Sequence, residues 1–358
     1  MTPLRVPVTI HKGINMTQSP PPPTVSPIPP SPANLPSGQA TASLVCGIIA
    51  LVLCAPIIAV PVGIVAIVIG AIARGKAKSG KASGGGKALA GIICGSTGIV
   101  LSFVITFAIL LPSLQGARER ARYIKWAGWS HNNRVDSRFM MYYNMENQSE
   151  TEDFVRNQAA GDPFMQAKLD IEPQMMDGKF TSAATKPAWT RNGRYRGKGA
   201  LQFDGVDDHV SFEIPADPFP NGFAFYMWIK SANTKGRVFA RGDGSIAIDL
   251  TPSGFTVTAN DVTLPVAATL NDDRFHFIAV SFDNPEGAEG TLNVYVDGML
   301  ESEGAFAGFT ESKITGYLLG GDGVSGFFSG TLDEFAILHE SLKNQEPANY
   351  FQAGKPYQ

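Results

Sequence analysis

Leu292-Asn293-Val294-Tyr295-Val296-Asp297-Gly298 decides how the larger part of this chain folds. Leu292, Val294 and Val296 fall on one side of a two-residue period, with Asn293 and Tyr295 on the other, which is the pattern of a half-buried β-strand. The Asp-Gly pair that ends it is a hairpin signal, because both central positions of a type I′ turn need positive φ. Working outward, similar runs recur at Ala200–Gly205, His209–Ile214, Phe223–Ile229 and Phe275–Phe282. Gly, Asp, Asn and Pro punctuate them closely. Short alternating runs with dense turn signals predict an all-β sandwich. One short helix is expected near the end, within Glu340–Ala353.

Charge divides the chain of 358 residues in two. Residues 1–137 carry 12 Lys/Arg against two acids, whereas residues 138–358 carry 17 against 30. An acidic C-terminal part excludes nucleic acid as its partner, since phosphate neutralisation needs clustered Lys/Arg. The three cysteines, Cys46, Cys54 and Cys94, all lie in apolar stretches of the first third. The β-rich part therefore has no disulfide, thiolate metal site or cysteine nucleophile.

Residues 1–40 hold 11 of the 25 prolines, including Pro20–Pro23, and read as a disordered or polyproline-II tail. Two uncharged runs follow, Ser43–Ala73 and Ala88–Pro112. Each exceeds the roughly 20 residues that cross a bilayer core of about 30 Å as a helix. The first contains Pro56 and Pro61, so a kink is expected; each half is short for a crossing, which favours one span over a hairpin. Between the runs, Arg74, Lys76, Lys78, Lys81 and Lys87 face no acid. That loop lacks the GxxxxGK[ST] spacing of a phosphate loop. Its charge instead holds it in the cytoplasm, which places both the tail and the C-terminal domain outside. The expected layout is a disordered tail at 1–40, a two-helix membrane anchor at 41–112, a basic juxtamembrane helix or linker at 113–136, and the sandwich at 137–358.

Three resemblances add to this reading. Ala42–Val104, with two Gly/Ala/Ile-rich runs around a Gly/Lys loop and Gly-Lys-Ala-Leu-Ala-Gly at 86–91, resembles a small two-helix domain of unknown function from bacterial membrane proteins. It implies a bacterial inner-membrane anchor crossing twice. Residues 110–125, with Arg118, Arg120, Arg122 and Lys125, resemble the segment beyond the membrane helix of type II secretion pseudopilins. The prepilin cleavage signature of that family is missing. Basic side chains of an amphipathic juxtamembrane helix also suit the lipid headgroup layer. Tyr142–Glu146, Phe203–Val210, Phe223–Ile229, Phe275–Val280, Tyr295–Gly298 and Phe328–Glu334, in this order, resemble the concanavalin A-like jelly roll of the laminin-G-like family. This third resemblance covers most of 137–356 and implies two stacked antiparallel sheets with a role in ligand binding or adhesion. The expectation is a non-catalytic, membrane-tethered module outside the cytoplasm that recognises a glycan or surface polymer. The alternative is a structural or assembly component of the envelope that binds a protein partner.

Candidate site residues follow from side-chain chemistry. Asp204, Asp207 and Asp208 cluster at a turn and offer hard oxygen ligands for calcium. The same residues also make turns through side chain to backbone bonds. Asp333 and Glu334 are read as structural, because neighbouring acids on a strand point to opposite faces and do not form the pair a glycosidase needs. His276, between Phe275 and Phe277, reads as a hydrogen-bonded structural histidine. Arg241-Gly242-Asp243 spells an integrin tripeptide but also a hairpin turn. Trp126 and Trp129, just after the second apolar run, suit a membrane interface. Trp189 suits either a sugar ring or the core.

Overall fold

The computed structural model describes residues 37–356 except 54–55, 147–150, 164–165, 168–169, 171, 215–221, 261, 284–288, 308–315 and 325. The tail expected at 1–40 lies outside the described residues up to position 36. The chain divides into two compact units, Met1–Leu110 and Leu111–Gln358.

The first unit is helical: α1 Gly38–Leu53, α2 Pro56–Lys78 and the first part of α3 Gly85–Val135. Two segments are long and apolar enough to cross a membrane, Ala59–Lys78 and α3. The apolar run beginning at Ser43 is not one kinked helix, however. It divides before Pro56, which lacks the N–H an interior helical residue must donate but suits a first-turn position. The two pieces then pack on each other as the hairpin the length argument had disfavoured. What permits this is a set of small residues at three- and four-residue spacing. Ala40, Ser43, Gly47 and Ala50 of α1 are buried, as are Ala59, Gly63, Ala66, Gly70 and Ala73 of α2. On α3 the buried series is Ala88, Gly91, Gly95, Gly98 and Ser102. Small residues let helix backbones approach closely where lipid supplies no hydrophobic drive for association.

The second unit is a two-sheet antiparallel sandwich. Its sixteen strands among the described residues are numbered in chain order. One sheet holds β1 Phe139–Tyr143, β4 Ala188–Thr190, β5 Ala200–Asp204, β7 Phe223–Lys230, β12 Phe275–Asp283, β13 Gly290–Val296, β14 Met299–Phe306 and β16 Ser329–Leu338. Its order is β14-β13-β12-β7-β16-β5-β4, with β1 also paired to β16. The other holds β2 Phe154–Val155, β3 Gly178–Lys179, β6 Val210–Glu213, β8 Gly236–Arg241, β9 Ile246–Thr251, β10 Gly254–Ala259, β11 Val262–Val266 and β15 Gly316–Leu319. Its order is β11-β10-β9-β8-β15-β6-β3-β2. The Asp297-Gly298 turn joins β13 to β14 with φ of 50° and 83°, the two positive values a type I′ turn demands.

Phenylalanines fill the space between the sheets. Phe203, Phe212, Phe225, Phe239, Phe282 and Phe335 are all essentially inaccessible, and each contributes on the order of 1.5–3 kcal/mol by leaving water. Along β7, Phe223, Phe225, Met227 and Ile229 belong to this core. The residues between them, Ala224, Tyr226 and Trp228, are buried as well, in a second cluster with Phe139, Tyr142, Phe277 and Tyr350. The strand is thus covered on both faces and not half-buried. The cover comes from the last part of α3, through Trp126 and Trp129, and from α4, Glu346–Gly354. The basic juxtamembrane segment, expected to stand apart at 113–136, belongs to the sandwich unit.

Candidate functional site

Strand β5 ends at Asp204, and the turn that follows brings the three predicted carboxylates together. Their oxygens lie within 4.8 Å of one another. Gly205 takes φ of 81°, which a side chain would strain. Asp204 Oδ1 accepts from the N–H of Val206 at 2.8 Å. Asp208 Oδ2 accepts from the Asp204 N–H at 2.8 Å. Burial pushes the Asp208 carboxyl up, and the charges of Asp204 and Asp207 add to the push against the Asp204 N–H bond. The donor set has calcium's chemistry, yet three carboxylates supply only part of the six to eight oxygens that ion takes. Hydrogen bonds already account for the shape of the turn.

Beside this turn a cleft of about 670 Å³ opens at one end of the sandwich. It is bounded by the Asp204 turn, the β7–β8 loop with Asn233 and Lys235, and the β15–β16 loop with Val324 and Phe327. Its walls are tied together. Ser231 Oγ donates to the Ser329 carbonyl at 2.8 Å and accepts from the Asn233 N–H at 2.9 Å. Arg237 reaches Asp249 through two bonds, at 2.7 and 3.0 Å, and Asp322 at 3.5 Å, which pins the β15–β16 loop. Phe327 lies half-exposed in the wall, with its ring 6.3 Å from that of His209. A Cβ at Gly321 would come within 2.6 Å of the Phe327 ring, so that glycine makes room for it. A seated aromatic ring beside a carboxylate and a carboxamide can stack on one face of a sugar while bonding its hydroxyls. Phe327, Asn233 and the Arg237–Asp322 tie escaped the sequence reading. The tandem Phe327-Phe328 was the available signal: period two sends one ring into the core, and the other has to find a place outside it.

Asp333 and Glu334 form a different kind of site. A bulge in β16, with Glu334 at φ 80°, breaks the alternation and sends both acids to the helix-covered side. Asp333 pairs with Lys198, and Glu334 with Arg194, all four side chains being buried. Glu334 also accepts from Trp126 Nε1 at 2.8 Å and the Tyr142 hydroxyl at 2.8 Å. Burial, then the Glu334 charge, pushes the Tyr142 phenol well up. Burial pulls the Lys198 ammonium down against the attraction of Asp333. Buried and paired, these acids hold Lys198 and Arg194 against the sheet, and Glu334 also ties α3 to it through Trp126.

The remaining candidates are structural in their contacts. Trp126 is 1% exposed and lies under Lys198, and Trp129 meets Tyr350 edge to face at 5.3 Å. Neither indole is a free interfacial belt; both serve the protein interior that composition alone did not reveal. Trp189 packs against the sandwich core. His276 bonds Asp297 and Asp272 at 3.0 Å each. Arg241 is 5% exposed and pairs with Asp243 in a turn, so the tripeptide is not presented.

Residues 204–346 match the family model described as the Concanavalin A-like lectin/glucanases superfamily, and residues 39–105 match a Domain of unknown function (DUF4190). No curated protein matches the chain. Among solved structures, domain 4 of AbnA, a GH43 extracellular arabinanase from Geobacillus stearothermophilus in complex with arabinotriose, is similar with a TM-score of 0.40. Identity is 15%, over 61% of this chain and 98% of that one. The Trypanosoma rangeli sialidase in complex with the inhibitor DANA gives 0.42 and 11% identity, over 64% of this chain and 37% of the sialidase. The botulinum neurotoxin serotype D binding domain gives 0.43 and 10%, over 61% and 52%. The chain thus spans about half or less of the sialidase and neurotoxin chains. By its matched segments, the protein carries a concanavalin A-like domain at 204–346 behind a DUF4190 domain at 39–105.

Proposed function

We propose that this chain is a membrane-tethered binding module whose sandwich recognises a glycan or another surface polymer in the cleft beside the Asp204 turn, without catalysing a reaction. The observation that carries the reading is the half-exposed Phe327 ring held in a 670 Å³ cleft with Asp204 and Asn233. The five positive charges between the two uncharged runs, from Arg74 to Lys87, favour a cytoplasmic loop, which puts the sandwich outside the cytoplasm at a bacterial inner membrane. Calcium at Asp204, Asp207 and Asp208 is an accessory in this account, because the turn closes on its own hydrogen bonds.

A glycan array probed with the full chain in detergent, with calcium and again with chelator, tests the proposal. Specific binding that survives the chelator is expected. Binding lost on chelation would return the three aspartates to a calcium role, and no binding by a demonstrably folded chain would contradict the glycan reading. A second reading, an assembly component with a protein partner, rests on the groove of 950 Å³ between the Ser113–Ile124 stretch of α3 and Tyr195–Gly197, which presents Arg120 and Arg196. Loss of a co-purifying partner on Arg120→Ala, with array binding absent, would favour it.

A further inference from the structure

We infer that α1 is a third membrane crossing, its exposed apolar face a surface for lipid acyl chains, so that the Pro-rich tail emerges on the same side as the basic loop and opposite to the sandwich. The inference rests on the membrane reading above and goes beyond it, because two crossings would leave the tail beside the sandwich.

Contacts inside the helical unit fix the direction of each helix. Ser43 Oγ donates to the Ala66 carbonyl at 2.9 Å, and Ala40 clusters with Ala73, so α1 and α2 run antiparallel. A Cβ at Gly70 would come within 2.6 Å of Ile92, and one at Gly63 within 2.7 Å of Ile99, so α2 and α3 run antiparallel too. A Cβ at Gly47 would lie 2.7 Å from the Gly91 carbonyl, and one at Gly98 3.0 Å from the Ala50 carbonyl. Helices α1 and α3 are therefore parallel and enter the bundle from the same end. That end carries the loop: Lys76 Nζ donates to Gln39 Oε1 at 3.0 Å.

Depth follows from the same contacts. Residues 43–50 of α1 meet residues 91–98 of α3, within its uncharged run 88–112, and residue 66 of α2. A helix packed over that stretch lies in the hydrocarbon wherever its partners do. Its outward face agrees, with Val45 49%, Ile48 46%, Ile49 41% and Val52 72% exposed and no charge from Gly38 to Leu53. Sixteen residues span about 24 Å at 1.5 Å each, short of a core of about 30 Å by an amount that local thinning of the bilayer accommodates. The first-run length that argued for a single span is met by two helices because the second begins afresh at Pro56.

Impermeant-maleimide labelling of sealed inside-out vesicles tests this. Single cysteines Thr17→Cys, Ser79→Cys and Asn192→Cys are placed in the full chain after Cys46→Ala, Cys54→Ala and Cys94→Ala. Thr17→Cys and Ser79→Cys are expected to label before detergent, and Asn192→Cys only after it. Protection of Thr17→Cys together with Asn192→Cys would overturn the third crossing and leave two. Labelling of all three before detergent, with a lumenal control protein still protected, would overturn the membrane reading itself and the inference with it. Tail and loop protected together, with Asn192→Cys labelled, would keep the third crossing and reverse the orientation. Should the cysteine-free chain fail to accumulate, protease protection of an N-terminally tagged wild-type chain reads the same side.

Discussion

Glu334 is where a single side chain has the largest effect. It joins Arg194, Trp126 and Tyr142 in a space with no water access. Replacing it by Gln leaves the Arg194 charge opposed by Asp333 alone, and breaking a buried pair in this way costs on the order of 3–5 kcal/mol. A large fall in the melting temperature of Glu334→Gln, followed by near-ultraviolet circular dichroism on the full chain, is the expected outcome; an unchanged midpoint would show that the clamp is dispensable. His276 makes a smaller, pH-dependent contribution. Burial pulls its imidazole down, but bonds to Asp297 and Asp272 outweigh this and raise it above the usual 6.5. Because the folded value is the higher one, the stabilisation is fully present below pH 6.5 and is lost as pH rises through the folded value. Stability measured across this window should fall with pH in the wild type more than in His276→Gln. Equal slopes would remove His276 from the account.

At the scale of elements, the lesson lies in β7 and α3. The run Phe223-Ala-Phe-Tyr-Met-Trp-Ile was legible as a strand, but its lack of a polar face was the sign of a second cover that went unread. The cover was in plain view as Trp126, Trp129 and Tyr350, far apart in sequence and joined only by the fold. Position just after an apolar run pointed those tryptophans toward lipid, and a long-range partner such as Glu334 outweighs position. A fragment starting at residue 137 therefore removes part of the cover on this face, taking away Trp126, Trp129 and the Asn133 bond to the Tyr226 hydroxyl while α4 stays against Trp228. Such a fragment is expected to bind a hydrophobic dye and unfold without a sharp transition, while one starting at residue 111 unfolds cooperatively. Equal cooperativity in both would mean that the helix is a passenger. The hairpin at Asp297-Gly298, by contrast, was readable because its cause is local. The Asp204 turn was readable for the same reason, whereas the cleft beside it needed three loops distant in the chain.

At the scale of the whole molecule, one unit is a small-residue helical bundle, and the other is a sandwich covered by helices on one sheet with a loop-lined cleft at one end. Local chemistry writes turns and apolar spans into the sequence, and loop convergence is what the fold adds. The central claim is that Phe327 in this cleft is the contact surface for the ligand. Isothermal titration of the full chain with the strongest array ligand, wild type against Phe327→Ala, tests it most directly. Removing the ring should raise Kd by about tenfold or more, since 1.4 kcal/mol is a factor of ten and aromatic contacts contribute on that order. A Kd unchanged in a folded Phe327→Ala chain would place the binding surface elsewhere.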